Sequence, residues 1–369
     1  MEITIFMGNG FDLGAGLKTS YSDFRTHLLA PTKTHPDCPG VRLIVESIRK
    51  NTPSRWHKDS MWSDFELGLG EYASYFTPSK FKRLMSSIGK DSKKYRPIDV
   101  YWKGVKYVLK ELSNYLERIS DTCTKQLSSF GLQEFASWIV DPAKYITNGE
   151  KKDIQHFCYS HSNEQWSVNF WSLNYTALLE QCISNLSAAH SAATPLLTSP
   201  YNNAGFLLNS SVQYLHGDCE HQVCGVGNRK QIRNSHFRIR KKMQRLIKKH
   251  LVQPKRTGSY SYKTVRSSIS SSDFIYIYGT SLGKSDIWLW RQICKWLRYS
   301  KEHHLFIYVY TKTPVYSAEE LFELKVNQCD ALCKGGVRIY EEDIDRIHLI
   351  PFHGNKIVHD AWFVDINTP

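Results

Sequence analysis

Six stretches of the chain are largely apolar at successive rather than alternate positions: "EITIFMG" at 2–8, "SVNFWSL" at 167–173, "VQYLHG" at 212–217, "FIYIYG" at 274–279, "LFIYVY" at 305–310 and "IHLI" at 347–350. Alternation marks a strand with one face in water, whereas continuous runs mark strands covered on both faces, as in a parallel sheet between layers of helices. Between these runs the apolar spacing becomes helical over Ala177–Asn185, over Asp286–Tyr299, where Ile287, Trp290, Cys294 and Leu297 share one side, and over Ala318–Leu332. Strand and helix in this rhythm predict an α/β, doubly wound, mostly parallel sheet, whose ligand cleft opens at the carboxyl ends of the strands.

The region from 31 to 159 breaks the rhythm. It offers no strand, and Trp62, Phe65, Leu69, Tyr72 and Phe76 recur at helical spacing, as do Tyr101, Val105, Val108, Leu112, Tyr115 and Ile119. The expected organisation is a Rossmann-like core of residues 1–30 and 160–369 interrupted by a helical insertion at 31–159. At 369 residues the chain can bury a sizeable core and still leave a cleft.

Composition adds one localised feature. No acidic residue lies between Glu220 and Asp273, and 14 of the 48 lysines and arginines fall in 229–266, so the other 34 nearly balance the 35 acidic residues. The net charge of +13 is thus the property of one basic segment, 229–266, within the core. Such a block suits phosphates, on a nucleic acid or on a smaller ligand, and it equally suits a solvated face. Nine cysteines, scattered from Cys38 to Cys333, do not form a disulfide framework and fit a reducing compartment. No stretch approaches the roughly 18 apolar residues of a membrane span, and no basic stretch leads into an apolar one at the N-terminus. A cytoplasmic chain with no membrane partner is expected.

Candidate chemistry gathers at the strand ends. After the first strand comes "GNGFDLGAGLKTSYSDF" at 8–24, where glycines allow backbone N–H groups to approach a phosphate and a helix is expected from Thr19-Ser20. Gly8 and Gly10 fit the first two places of the dinucleotide fingerprint G-x-G-x-x-G, but Leu13 occupies the third. Later strands end in "LNYTALLE" with Asn174, "LHG" with His216, and "YGTSLGKSD" at 278–286. Four polar signatures at four strand ends point to a ligand site. In this order they resemble the AbiH-type bacteriophage abortive-infection family, over residues 1–29 and about 166–300, with "WSDFE" at 62–66 the one likeness in the insertion. That resemblance implies an antiphage defence effector.

A more distant resemblance is to sirtuin-like NAD-binding domains. It rests on the glycine-rich first turn, Asn174 at a strand end, His216-Gly217, and Gly279-Thr280-Ser281-Leu282, in that order. It implies NAD as substrate or ligand, with Gly8, Asn9 and Gly10 against the pyrophosphate, the Gly279-Thr280-Ser281 turn on the adenosine side, and Asn174 and His216 facing the nicotinamide ribose. Two departures bear on the chemistry. The four-cysteine zinc module of sirtuin deacylases is reduced here to Cys219 and Cys224 with His221 between them, so neither deacylation nor a bound metal is expected. Thr176 stands where sirtuins carry an Asp two residues after the Asn, which leaves Asp12, Glu66 or Asp286 to supply a carboxylate. Asp12 and Asp286 are placed with the ligand-binding set, while Glu66 reads as an ordinary helix carboxylate.

Cleavage of a ribose–nicotinamide bond passes through an oxocarbenium-like transition state, with water held on one face of the sugar. A neutral imidazole at His216 can accept a proton from that water or from a ribose hydroxyl, and the Asn174 amide can hold either without adding charge. Both residues also have plain structural readings, Asn174 as a cap of the following helix and His216 as a satisfied interior histidine. The sirtuin-like resemblance therefore implies an NAD glycohydrolase-like hydrolase. Two other readings stay open: a nucleic-acid-binding or nucleic-acid-cleaving effector acting through 229–266, and a non-catalytic nucleotide sensor. A protein partner or a homo-oligomer is compatible with each.

Overall fold

The computed structural model describes residues 1–50, 62–121, 125–191, 197–217, 224, 229–232, 234–239, 262–333, 337–353 and 363–365. Its strands are β1 (Glu2–Met7), β2 (Lys125–Leu127), β3 (Trp166–Ser172), β4 (Phe206–Tyr214), β5 (Phe274–Tyr278), β6 (His304–Thr311), β7 (Ile347–His353) and β8 (Phe363–Asp365). All six apolar runs become strands of one sheet, every neighbour parallel, in the order β4-β3-β1-β5-β6-β7. Numbering only these six along the chain turns that order into 3-2-1-4-5-6, the doubly wound dinucleotide-binding arrangement. Its crevice opens where the order reverses, between β1 and β5. The run at 212–217 is the end of a longer strand, and its "LHG" lies in the turn beyond β4.

The sheet is apolar on both faces, as its continuous runs require. Ile3, Ile5 and Met7 of β1 join Phe170, Tyr276 and Phe306 under α7 (Ser129–Val140), α8 (Asn148–Ser160) and α9 (Leu178–Ser191). Phe6 joins Trp171, Ile275 and Ile307 on the other face, beneath the helices Tyr262–Ser271, Ile287–Leu297 and Ala318–Cys333.

The remaining helices are α1 (Gly10–Gly14), α2 (Tyr21–Leu28), α3 (Pro39–Lys50), α4 (Trp62–Tyr72), α5 (Pro78–Ser87) and α6 (Pro97–Asp121). Helices α2 to α6 bury a cluster of their own, built on Phe24, Ile44, Phe65, Leu69, Phe76, Tyr101 and Val108. The region 31–159 is therefore divided between two packing units, since α7 and α8 lie on the sheet. It also holds β2, whose three residues pair antiparallel with β8 and are too short to leave a pattern in the sequence. The head of the basic segment is anchored in the α2–α6 cluster through Ile232 and Phe237, with the Asn234 amide donating to the Ala73 carbonyl at 2.9 Å. Of that segment, 233 and 240–261 lie outside the described residues, as do Cys219 and His221, and its tail forms the start of the helix Tyr262–Ser271. No helix among the described residues is long and apolar enough to cross a membrane.

Candidate functional site

The turns after β1, β3, β4 and β5 surround a cavity of about 780 Å³ at the carboxyl end of the sheet. Pockets of ~300–1,000 Å³ are the usual size for small-molecule and cofactor sites. All the residues singled out from sequence line it: Gly8, Asn9, Gly10, Asp12, Asn174, His216, Gly279, Thr280, Ser281 and Asp286.

Its floor is the meeting of two glycine turns. Gly8 N–H donates to the Tyr278 carbonyl at 2.7 Å and Gly10 N–H to the Gly279 carbonyl at 2.9 Å, continuing the β1–β5 pairing past the strand ends. A Cβ on Gly8 would lie 2.6 Å from the Gly279 oxygen, and one on Gly10 2.6 Å from the Gly279 Cα. Gly279 itself has φ +64°, where a side chain is strained. The glycines thus have a structural requirement of their own, the interlocking of two backbones at the point where the strand order reverses. Between the first turn and α2 the chain forms the short α1, and the Asn9 amide donates across to the Thr19 carbonyl at 3.1 Å. Helix α2 then starts where expected, capped by Ser20 and Asp23 in a reciprocal capping box. In the second turn Leu282 has φ +46°, the one non-glycine with positive φ among the described residues. Strain of this kind costs about 1–3 kcal/mol and concentrates at functional sites.

Asn174 does not cap the helix behind it. Its side-chain amide donates to the Gly8 carbonyl at 3.0 Å, tying the β3 turn to the β1 turn. His216 is buried and engaged at both ring nitrogens, with Nδ1 3.1 Å from the Leu173 carbonyl oxygen and Nε2 2.8 Å from Asp286 Oδ1. A carbonyl oxygen only accepts, so Nδ1 carries a proton. Nε2 faces a carboxyl oxygen at contact distance, and two acceptors do not meet so closely without a proton between them.

Asp12 carries a strongly perturbed carboxyl in the cavity. It is buried in the short α1, and the Thr176 hydroxyl donates to its Oδ2 at 2.7 Å, while its Oδ1 has no hydrogen-bond partner. Burial pushes this carboxyl up from 3.8 to about 7, against the opposing pull of the Thr176 hydroxyl and the Asn174 amide. Thr176, after β3, therefore holds a carboxyl brought from the first turn.

Two features add to the sequence reading. Glu66, one of the three carboxylate candidates yet expected as an ordinary helix carboxylate, is buried and lines the cavity from α4, so the insertion forms part of the wall. Its signal was the "WSDFE" likeness, the one stretch of the insertion that resembled the family. Tyr175 also lines the cavity, its hydroxyl 2.9 Å from Cys224 Sγ, and burial lifts its phenol well above the usual range. Three carboxyl groups, Asp12, Glu66 and Asp286, thus surround one cavity whose described lining contains no lysine or arginine.

A comparison with protein families matches the chain, over residues 4–308, to the family described as Bacteriophage abortive infection AbiH. No individual curated protein matches it.

Proposed function

The chain belongs to the AbiH family of bacteriophage abortive infection proteins, and from that premise we propose that its cavity binds NAD or a related nucleotide and hydrolyses the N-glycosidic bond. One observation carries this reading: groups from four separate strand ends, Asp12, Asn174, His216 and the Gly279–Asp286 turn, converge on one cavity where the strand order reverses. Doubly wound sheets bind nucleotides at that place.

The charge of the lining supports the same reaction. Breaking the bond between ribose C1′ and the base nitrogen sends the electron pair to the base and leaves positive charge on the sugar. Fixed carboxyl groups favour that charge, and the absence of described cations in the lining leaves it unopposed. In this reading the Asn174 amide and the His216–Asp286 pair orient ribose hydroxyls. Ligand phosphates are left to backbone N–H groups and to the basic segment, whose head donates from the Gln231 side chain to the Lys284 carbonyl at 3.2 Å, beside the cavity wall.

The test is protection against phage in cells carrying His216→Ala or Asn174→Ala. Each substitution is expected to abolish protection while the purified variant keeps wild-type circular dichroism and a cooperative melt. Full protection by both folded variants would remove the site from the account.

A further inference from the structure

We propose that Asp12 is the general base of this cavity, the group that takes the proton from the attacking water. The assignment rests on the glycosidic reading above and departs from the expectation that His216 does this work. Neither His216 nitrogen offers a free lone pair: Nδ1 is turned to the Leu173 carbonyl and Nε2 shares a proton with Asp286. Whether that proton belongs to imidazole or carboxyl, the lone pair a base would use is occupied.

Asp12 meets the opposite description. Asp12 is among the residues lining the cavity, and Thr176 fixes its carboxyl through one oxygen. The other oxygen makes no hydrogen bond of ordinary geometry, with the pull of the nearby Asn174 amide on the group. A buried acceptor left unpaired is costly, on the order of 1–3 kcal/mol, and marks a place kept for a ligand atom. The titratable groups that line the same cavity are Tyr21, Glu66, Tyr175, His216, Asp286, Tyr308 and Tyr310. None of them is a source of the Asp12 shift, which comes from burial and is offset by Thr176 and Asn174. A base titrating near 7 is matched to work at cellular pH.

The step balances without any further reactant. The C1′–N bond breaks and its electron pair stays on the departing base; water oxygen bonds to C1′, and one water proton moves to the Asp12 carboxylate. With nicotinamide as the leaving group no acid is required, because the pyridinium becomes neutral as it leaves.

The experiment uses the full chain with NAD as the probe, measuring nicotinamide release from pH 5 to 9. Wild-type turnover should fall on the acid side with a midpoint near 7. Asp12→Asn should lower kcat by about 10²–10⁴-fold with KM nearly unchanged and should lose the acid limb. Azide, a nucleophile that needs no base, should restore release in Asp12→Asn and not in Asn174→Ala. A variant that keeps the wild-type rate and acid limb overturns the role of Asp12 and leaves the glycosidic reading standing. Absence of release by wild type, in phage-infected extract as well as in buffer, overturns that reading and the base role with it. A readout independent of turnover is the infrared carboxyl band lost in Asp12→Asn. Titration of that band near 7 supports the assignment, and titration in the ordinary carboxylate range, about 4, overturns it.

Discussion

The two ends of the sheet bury polar groups in opposite ways. At the amino end His348 Nδ1 meets Glu150 Oε2 at 2.7 Å, His304 Nδ1 meets His348 Nε2 at 3.0 Å, and Lys325 closes the chain on Glu150 Oε1 at 3.1 Å. Nearby, the Arg346 guanidinium donates to the carbonyls of Leu297, Ser300 and His303 and pairs with Asp343 at 2.6 Å. Every group in these two networks has its partner within the protein. At the carboxyl end, Asp12 Oδ1 and Thr280 Oγ1 are buried with none. Satisfied networks hold helices and strand starts together, whereas unpaired groups lining a cavity are stable assets only when a ligand completes them. The same sheet thus carries a satisfied end and an end that opens on the cavity with unpaired groups.

Substitution should separate the two by sign. Arg346→Ala leaves Asp343 buried without its charge partner and should cost about 3–5 kcal/mol in a urea melt. Asp12→Asn should do the reverse. Folding raises that carboxyl from 3.8 to about 7, so the stability it contributes is present below about 4 and is lost as pH rises through 7. The asparagine variant, free of that loss, should be more stable than wild type by up to about 4 kcal/mol at pH 8 and by little at pH 4. A variant destabilised at both pH values would place Asp12 with the satisfied end instead.

Smaller effects sharpen the contrast. Gly10→Ala forces a Cβ against Gly279 and should lower stability by about 2 kcal/mol, read as a shifted melting temperature before any ligand is added. An unchanged melt would mean that the turns do not interlock. At the amino end, burial first and His348 next hold the His304 imidazole well below its usual 6.5. The stability from its neutral form is complete above that value and is lost on acidification. His304→Gln should therefore flatten the acid slope of stability, by about 1 kcal/mol at pH 5.5. An acid slope identical to wild type would remove the buried imidazole from this account.

The strands were legible because a parallel strand buried on both faces writes a continuous apolar run, as "FIYIY" does for Tyr276 and its neighbours. Turn chemistry was legible for a related reason: crossing backbones demand glycine, and Gly8, Gly10 and Gly279 are that demand in one-dimensional form. What stayed hidden depends on long-range packing. Nothing local marks α7 and α8 as helices of the sheet rather than of the insertion, since apolar periodicity does not name the partner. The Asp12–Thr176 contact joins residues 164 positions apart, and the pairing of His216 with Asp286 spans two strand ends. Types and strand ends could be read; which carboxyl meets which residue required the fold.

The central proposal, that the cavity at the carboxyl end of the sheet consumes a nucleotide, is tested most directly by a mass-spectrometric survey of nucleotides in phage-infected cells expressing wild type or Asn174→Ala. The account predicts that NAD, or one related nucleotide, falls in the wild-type culture alone, with its free base and ribosyl product rising together. Protection by wild type with nucleotide pools identical to those of the variant would contradict it.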